Sequence, residues 1–269
     1  MKQSKLRFLL TYLLGVSLIT LVGCYEPTEG CVEPWAVNYD VLADDLCEDC
    51  CTPPEVRVKI QYLTPDSSTY RFGDTLRLED NSYVTLHSVN VMLSNFEMES
   101  SGVQVVSVND SITLDEVDYE SDFGFSRGQG SGISLTQYRE PYSVDAISFV
   151  QGVPSVWQDT SIFGADNVII AEAIDSLYRA DMDKFALFSC TISTDTINQD
   201  TVKYVSTLLN TADYNLVIPG GYPLSLGDNT TINMKIYLTE WLEGVTLDGT
   251  NTEAVADQLS ALPYKIEVE

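Results

Sequence analysis

The strongest constraint in this 269-residue chain is an alternation of apolar and polar side chains with a period of two. Val56, Val58, Ile60 and Tyr62 alternate with Arg57, Lys59 and Gln61; Ile232, Met234, Ile236 and Leu238 alternate with Thr231, Asn233 and Lys235; Tyr264, Ile266 and Val268 flank Lys265 and Glu267. Successive side chains of a strand point to opposite faces, so each segment reads as a strand with one dry and one wet face, as in antiparallel sheets. Residues 84–98, 103–108, 144–150, 185–193 and 214–218 are further predicted strands, separated by Gly, Pro, Asn and Asp clusters. Many short strands with polar turns predict a mainly β fold: an antiparallel β-sandwich over residues 55–269, with one or two short covering helices.

Two segments break the pattern. Between Asn167 and Arg179, Ile169, Ile170, Ala173, Ile174, Leu177 and Tyr178 recur at helical spacing, with Asp166 placed to cap the start. Thr250-Asn251-Thr252-Glu253 has the form of a capping box, and Val255, Leu259 and Leu262 then share one face until Pro263. The stretch from Phe123 to Gly132 holds Gly124, Gly128, Gly130 and Gly132 outside any strand-then-helix context, so it reads as a mobile loop rather than a phosphate cradle.

The first residues carry Lys2, Lys5 and Arg7, then an apolar run from Phe8 to Val22. That run is too short for a hydrocarbon core, which needs roughly twenty residues, so residues 1–23 read as a signal peptide. Leu21-Val22-Gly23-Cys24 resembles the lipobox of bacterial lipoproteins, which implies cleavage before Cys24 and acylation of that cysteine, palmitate being a typical chain. Two acyl chains anchor a protein to a bilayer without any protein helix. The expected location is the cell envelope, on the periplasmic or surface face of an outer membrane. Removing residues 1–23 takes away three bases and no acid, and moves the formal charge from −26 to −29. A chain this acidic is repelled by nucleic acid, which excludes that class of partner.

Residues 24–54 are acidic, rich in cysteine and proline and without apolar periodicity, and read as a tether or a small stapled module. Beyond Cys24 the chain has Cys31, Cys47, Cys50, Cys51 and Cys190, an odd number that leaves at least one unpaired, joined to another molecule or bound to metal. Structural disulfides are preferred over a thiolate metal site, and both over redox catalysis, because Cys47-Glu48-Asp49-Cys50 lacks the strand–helix–strand setting of a redox motif. Cys190 is a core thiol or the distant partner of Cys50 or Cys51. Asp40, Asp44 and Asp45 are candidates to hold calcium through oxygen ligands, although solvated acids are the simpler reading without a glycine-centred loop. The single histidine, His87, lies where the alternation slips by one residue, as at a bulge, and reads as structural ahead of metal-binding. No acid/base pair can be chosen among so many carboxylates.

Gly30-Cys31-Val32-Glu33-Pro34-Trp35-Ala36-Val37-Asn38-Tyr39-Asp40, followed by Asp44-Asp45-Leu46-Cys47, is similar to a short cysteine element of Bacteroidetes envelope proteins. The resemblance implies a disulfide between Cys31 and Cys47. Further on, Tyr70-Arg71-Phe72-Gly73-Asp74, the run Val89 to Phe96 containing Leu93-Ser94-Asn95, the run Val144 to Val153 and the run Ile232 to Gly244 together resemble the MbnP-like family. That resemblance implies an extracytoplasmic β-sandwich which binds copper and in some members works with a dihaem peroxidase. The family's histidines and its Trp-rich segment are missing here; only Trp157 and Trp241 stand in the body, outside any matching motif. Asp followed by Ser or Thr and an aliphatic residue occurs at Asp74, Asp110, Asp175, Asp195 and Asp200, and resembles the O-glycosylation motif of the same envelope proteins.

The expected function is therefore a lipid-anchored, non-enzymatic envelope protein that binds another protein or a small ligand. A copper-handling protein of the MbnP-like type is the alternative. Copper and calcium are the candidate cofactors, with His87, Asp40, Asp44 and Asp45 the candidate metal residues.

Overall fold

The computed structural model describes residues 26–104, 111–114, 117–120, 124–128, 133–153, 168–194, 200–208 and 211–266. The chain divides into two compact units: Asn38–Cys51 with the segment up to Pro34, and Trp35–Val37 with Thr52–Glu269.

The first unit has little secondary structure. Its short strands β1 (Glu29–Gly30) and β2 (Asp45–Leu46) pair in parallel. Two disulfides hold it, Cys31 to Cys51 and Cys47 to Cys50. The pairing of Cys31 with Cys47 is thus not the one formed. Cys47 does lie beside the first strand, donating its backbone N–H to the Gly30 carbonyl at 3.0 Å. The turn at Glu48-Asp49, with Asp49 in the left-handed region at φ 54°, then folds the chain back. Cys50 returns to Cys47, and Cys51 reaches Cys31 with 5.0 Å between their Cα atoms.

The second unit is a β-sandwich. One sheet consists of β3 (Glu55–Leu63), β10 (Ile133–Gln137), β17 (Thr230–Tyr237) and β18 (Lys265–Ile266), in the order β10-β3-β17-β18. The larger sheet is built on β5 (Tyr83–Ser100). Its path runs β15 (Thr201–Val205), β14 (Ser189–Ser193), β5, β11 (Tyr142–Gln151), β16 (Ala212–Leu224). The short strands β4 (Thr75–Arg77), β6 (Val103–Gln104) and β9 (Gly124–Arg127) also pair with β5. Separate hairpins join β7 (Ser111–Leu114) to β8 (Val117–Glu120), and β12 (Tyr178–Arg179) to β13 (Lys184–Phe185). The sandwich pairings are antiparallel apart from β3 and β17, which run side by side in parallel from Val56–Thr230 to Leu63–Tyr237.

The period-two positions fill the core. Val56, Val58, Ile60 and Tyr62 of β3 pack with Ile232, Met234 and Ile236 of β17 and with Leu86, Val89, Val91 and Leu93 of β5. Each fully buried aliphatic side chain of this kind contributes about 1.5–3 kcal/mol before ordering costs. At one edge Phe149 stacks on Tyr214 with 5.1 Å between ring centroids, and Tyr264 meets both rings edge-on. The buried Gln151 accepts a hydrogen bond from the Tyr264 hydroxyl and donates one to the Ser260 carbonyl, so its amide is paired at both ends.

Several predicted elements take a different form. The apolar run at 185–193 is split between β13 and β14, and the strand at 214–218 is part of the longer β16. The alternation of β17 ends at Tyr237, after which helix α2, following α1 (Val168–Leu177), spans Leu238–Leu242. It inserts Leu238, Trp241 and Leu242 into the core, and the indole donates to the Leu259 carbonyl at 2.9 Å. The second predicted helix is α3 (Thr252–Leu259), but the capping box is not made. Its N-cap is Asn251 at φ 48° with no side-chain cap bond, while Thr250 turns its N–H and hydroxyl to Asp248. Asp166 and residues 105–110 lie outside the described residues.

The glycine-rich stretch differs most. Gly124–Arg127 is not a loop but strand β9, paired with Asn90–Leu93 of β5. Gly128 follows at φ 73° and donates its N–H to the Val89 carbonyl. Gly124 and Gly128 leave room for the Ile133 and Phe72 side chains, a use that resembles loop composition when only the sequence is read, while Phe123 and residues 129–132 lie outside the described residues.

Candidate functional site

The residues singled out in the sequence are placed apart. Cys24 is outside the described residues. In the first unit the Asp40 carboxylate accepts the Leu42 N–H at 2.9 Å and the Asp44 carboxylate accepts the Thr28 N–H at 3.1 Å. Asp40 braces a local turn, and Asp44 ties its segment to the one at Thr28. No group of three or more His, Cys, Asp or Glu side chains gathers around a common point among the described residues, and Asp40, Asp44 and Asp45 do not form one.

His87 sits at the bulge its sequence context indicates. On β14, Thr191 faces Ser88 and the next residue, Ile192, faces Leu86, leaving His87 as the extra residue of β5. Leu86 and Val89 both belong to the core, so His87 and Ser88 are consecutive residues between two inward side chains. The His87 Nε2 is buried without a hydrogen-bond partner among the described residues. Cys190 is the free cysteine among the described residues and is buried in the core beside Tyr62. Burial pushes its thiol well above the ordinary cysteine range, so it stays protonated and inert. Burial likewise raises Tyr62, with Cys190 adding to the effect.

These placements decide whether copper fits. Tight copper sites need several imidazole or sulfur ligands converging on one point. Here Cys190, Met98 and Met234 are parts of the packed core, and His87 is not. The donor set present among the described residues does not fit a copper centre.

The structure also holds an open polar cleft that sequence reading did not find. It has a volume of about 380 Å³ and is lined by Tyr178, Arg179, Asp181, Lys203, Thr252 and Glu253, among others. Helix α1 ends at Leu177, the chain turns directly into β12, and Arg179 points between two acids. Its Nη2 lies 2.7 Å from an Asp181 oxygen and 2.8 Å from Glu253 Oε1, while Nε donates to the other Asp181 oxygen at 3.1 Å. The guanidinium side chain is only 13% exposed. Hydrogen bonds donated to Asp181, reinforced by Glu253, hold Arg179 firmly charged, and the same bonds lower Asp181 below the usual carboxylate range. Arg179 Nη1 is buried and has no acceptor among the described residues. The Tyr178 hydroxyl donates to Asp183 at 2.7 Å, which raises its own pKa.

Helix α3, which carries Glu253, also fixes the neighbouring loop. Asp257 accepts hydrogen bonds from Ser206 Oγ, from Thr207 N and Oγ1, and from Leu208 N. Burial alone would raise this carboxyl, yet the bonds from Ser206, Thr207 and Leu208 outweigh it and the net shift is downward. The loop after β15 is thereby tied to the helix that carries Glu253. Arg179 and Asp181, two residues apart, were not singled out in the sequence, although their spacing is a local signal; the partnership with Glu253 spans the fold and has none.

Ser176, the acceptor position of the Asp175 motif, is 7% exposed within α1 and closed to a glycosylating enzyme. Thr75 and Thr201, by contrast, are exposed. The motif at Asp195 lies outside the described residues, as does Asp110.

The class defined by these features is a β-sandwich protein preceded by a disulfide-stapled module, with a polar cleft whose charges are fixed in position. No family matches the sequence, and no curated protein matches it either. Among solved structures, MbnP from Methylosinus trichosporium aligns at 10% sequence identity and a TM-score of 0.44, covering 72% of this chain and 78% of that one. A likeness so distant carries no residue role or activity across.

Proposed function

We infer that this chain is an exported lipoprotein, acylated at Cys24, whose β-sandwich binds a partner or small ligand without catalysing a reaction. The observation that carries the reading is the oxidised module next to the lipobox. Disulfides between Cys31 and Cys51 and between Cys47 and Cys50 support an oxidising compartment such as the periplasm or the cell surface. The lipobox supplies the means of staying there once exported.

The binding half of the reading rests on the Arg179 cleft. A guanidinium clamped by Asp181 and Glu253, with Lys203 also lining the cleft, presents both signs of charge there. Such a surface suits small zwitterionic or carboxylate-bearing ligands.

Two experiments test the halves separately. Replacing Cys24 with Ala should release the protein from the membrane fraction and abolish labelling by a palmitate analogue; a variant that remains membrane-bound without lipid sinks the anchor. For the cleft, free amino acids and dipeptides are screened by thermal shift. A stabilising ligand whose effect disappears in Lys203→Ala supports the reading, and no shift across the set refutes it.

A further inference from the structure

The first unit carries a turn of unusual composition. The Asp40 carbonyl accepts the Ala43 N–H at 3.2 Å and the Asp40 carboxylate accepts the Leu42 N–H at 2.9 Å, closing a turn with Val41 and Leu42 at its centre. Turn centres favour Gly, Pro, Asn, Asp and Ser, because backbone geometry and local hydrogen bonding suit them. Here two aliphatic side chains occupy those places, 76% and 78% exposed. Scattered exposed apolar residues are ordinary; two adjacent ones at the tip of a braced turn are less so.

The same unit fixes where the tip lies along the chain. Thr28 and Asp44 exchange two hydrogen bonds, Thr28 N to the Asp44 carboxylate at 3.1 Å and Asp44 N to the Thr28 carbonyl at 2.8 Å. Asp44 is two residues from Leu42, and Thr28 is four residues from Cys24. Four residues span at most roughly 14 Å when fully extended. A lipid on Cys24 therefore keeps the turn within a short distance of the bilayer surface at all times.

We propose that the Val41–Leu42 tip is a second membrane contact, which inserts into the bilayer beside the acyl chains and seats the stapled module on it. This rests on the acylation of Cys24 inferred above. The surface it fits is a zwitterionic one, because Asp40, Asp44 and Asp45 flank the tip and repel anionic headgroups. Acylation holds the protein near the membrane, and the tip gives that attachment a defined orientation.

The test uses the mature acylated protein beginning at Cys24, with Val and Leu methyl groups labelled for NMR, in phosphatidylcholine nanodiscs. Mass spectrometry first establishes whether Cys24 is acylated. A nitroxide is then placed either on the lipid headgroup or on the fifth acyl carbon in parallel samples. Insertion predicts that the Val41 and Leu42 methyl signals are broadened at least twofold more by the acyl-chain label than by the headgroup label. Stronger broadening from the headgroup, or none from either, in protein shown to be acylated overturns the insertion and leaves the anchor standing. Broadening of the same signals with concentration in lipid-free samples means that a second copy covers the tip, which also overturns it. An unmodified Cys24 removes the anchor and this inference together.

Discussion

Gly124 lies directly against Ile133: a Cβ built on the glycine would fall 2.9 Å from the Ile133 Cβ and overlap its branch methyl. This close approach lets β9 pair with β5 while β10 lies over it. Gly124→Ala is therefore expected to push β9 away from its partner. Overpacking of this kind costs about 1–3 kcal/mol, read as a lower midpoint in urea unfolding. An unchanged midpoint would show that Ile133 moves aside freely.

Asp257 predicts an acid-sensitive stability. Its folded pKa is lowered, so the stability it contributes is present above the unfolded value and lost as pH falls through the folded one. The unfolded value is about 3.9, so the loss begins below roughly pH 4. Asp257→Asn should be less stable at pH 7 by about 1 kcal/mol, after allowance for solvent screening, and should lose less on acidification. Chemical denaturation at pH 7 and pH 3.5 measures both. Equal losses in the two proteins would remove Asp257 from the account.

The cysteines separate by reactivity. Non-reduced peptide mapping should find Cys31 joined to Cys51 and Cys47 joined to Cys50. Cys190 should resist alkylation in the native protein and react once it is unfolded, because its thiol is buried and protonated. A Cys31–Cys47 peptide would restore the pairing that the cysteine element implies.

Copper gives the fourth prediction. Titration under reducing, anaerobic conditions should show weak binding or none. His87→Ala should change unfolding stability more than any metal affinity, since its ring occupies the bulge of β5. One tightly held copper per chain, lost in His87→Ala, would contradict both.

Much of the sandwich is written locally. Whether a segment is a strand depends on its own side chains alternating between water and the core, and Val56–Tyr62, Ile232–Ile236 and the slip at His87 carry that signal in consecutive residues. The odd cysteine is likewise a matter of counting. Partners are different, because they depend on which distant segment arrives alongside. Sequence spacing alone did not determine that Cys31 meets Cys51, that β3 and β17 run parallel, that a glycine-rich stretch becomes β9, or that Glu253 closes on Arg179. Each of these contacts brings together groups whose attraction exists only once the intervening chain has folded. The alternation of side chains determined the sheets, and the tertiary structure decided the staple, the strand order and the charged cleft.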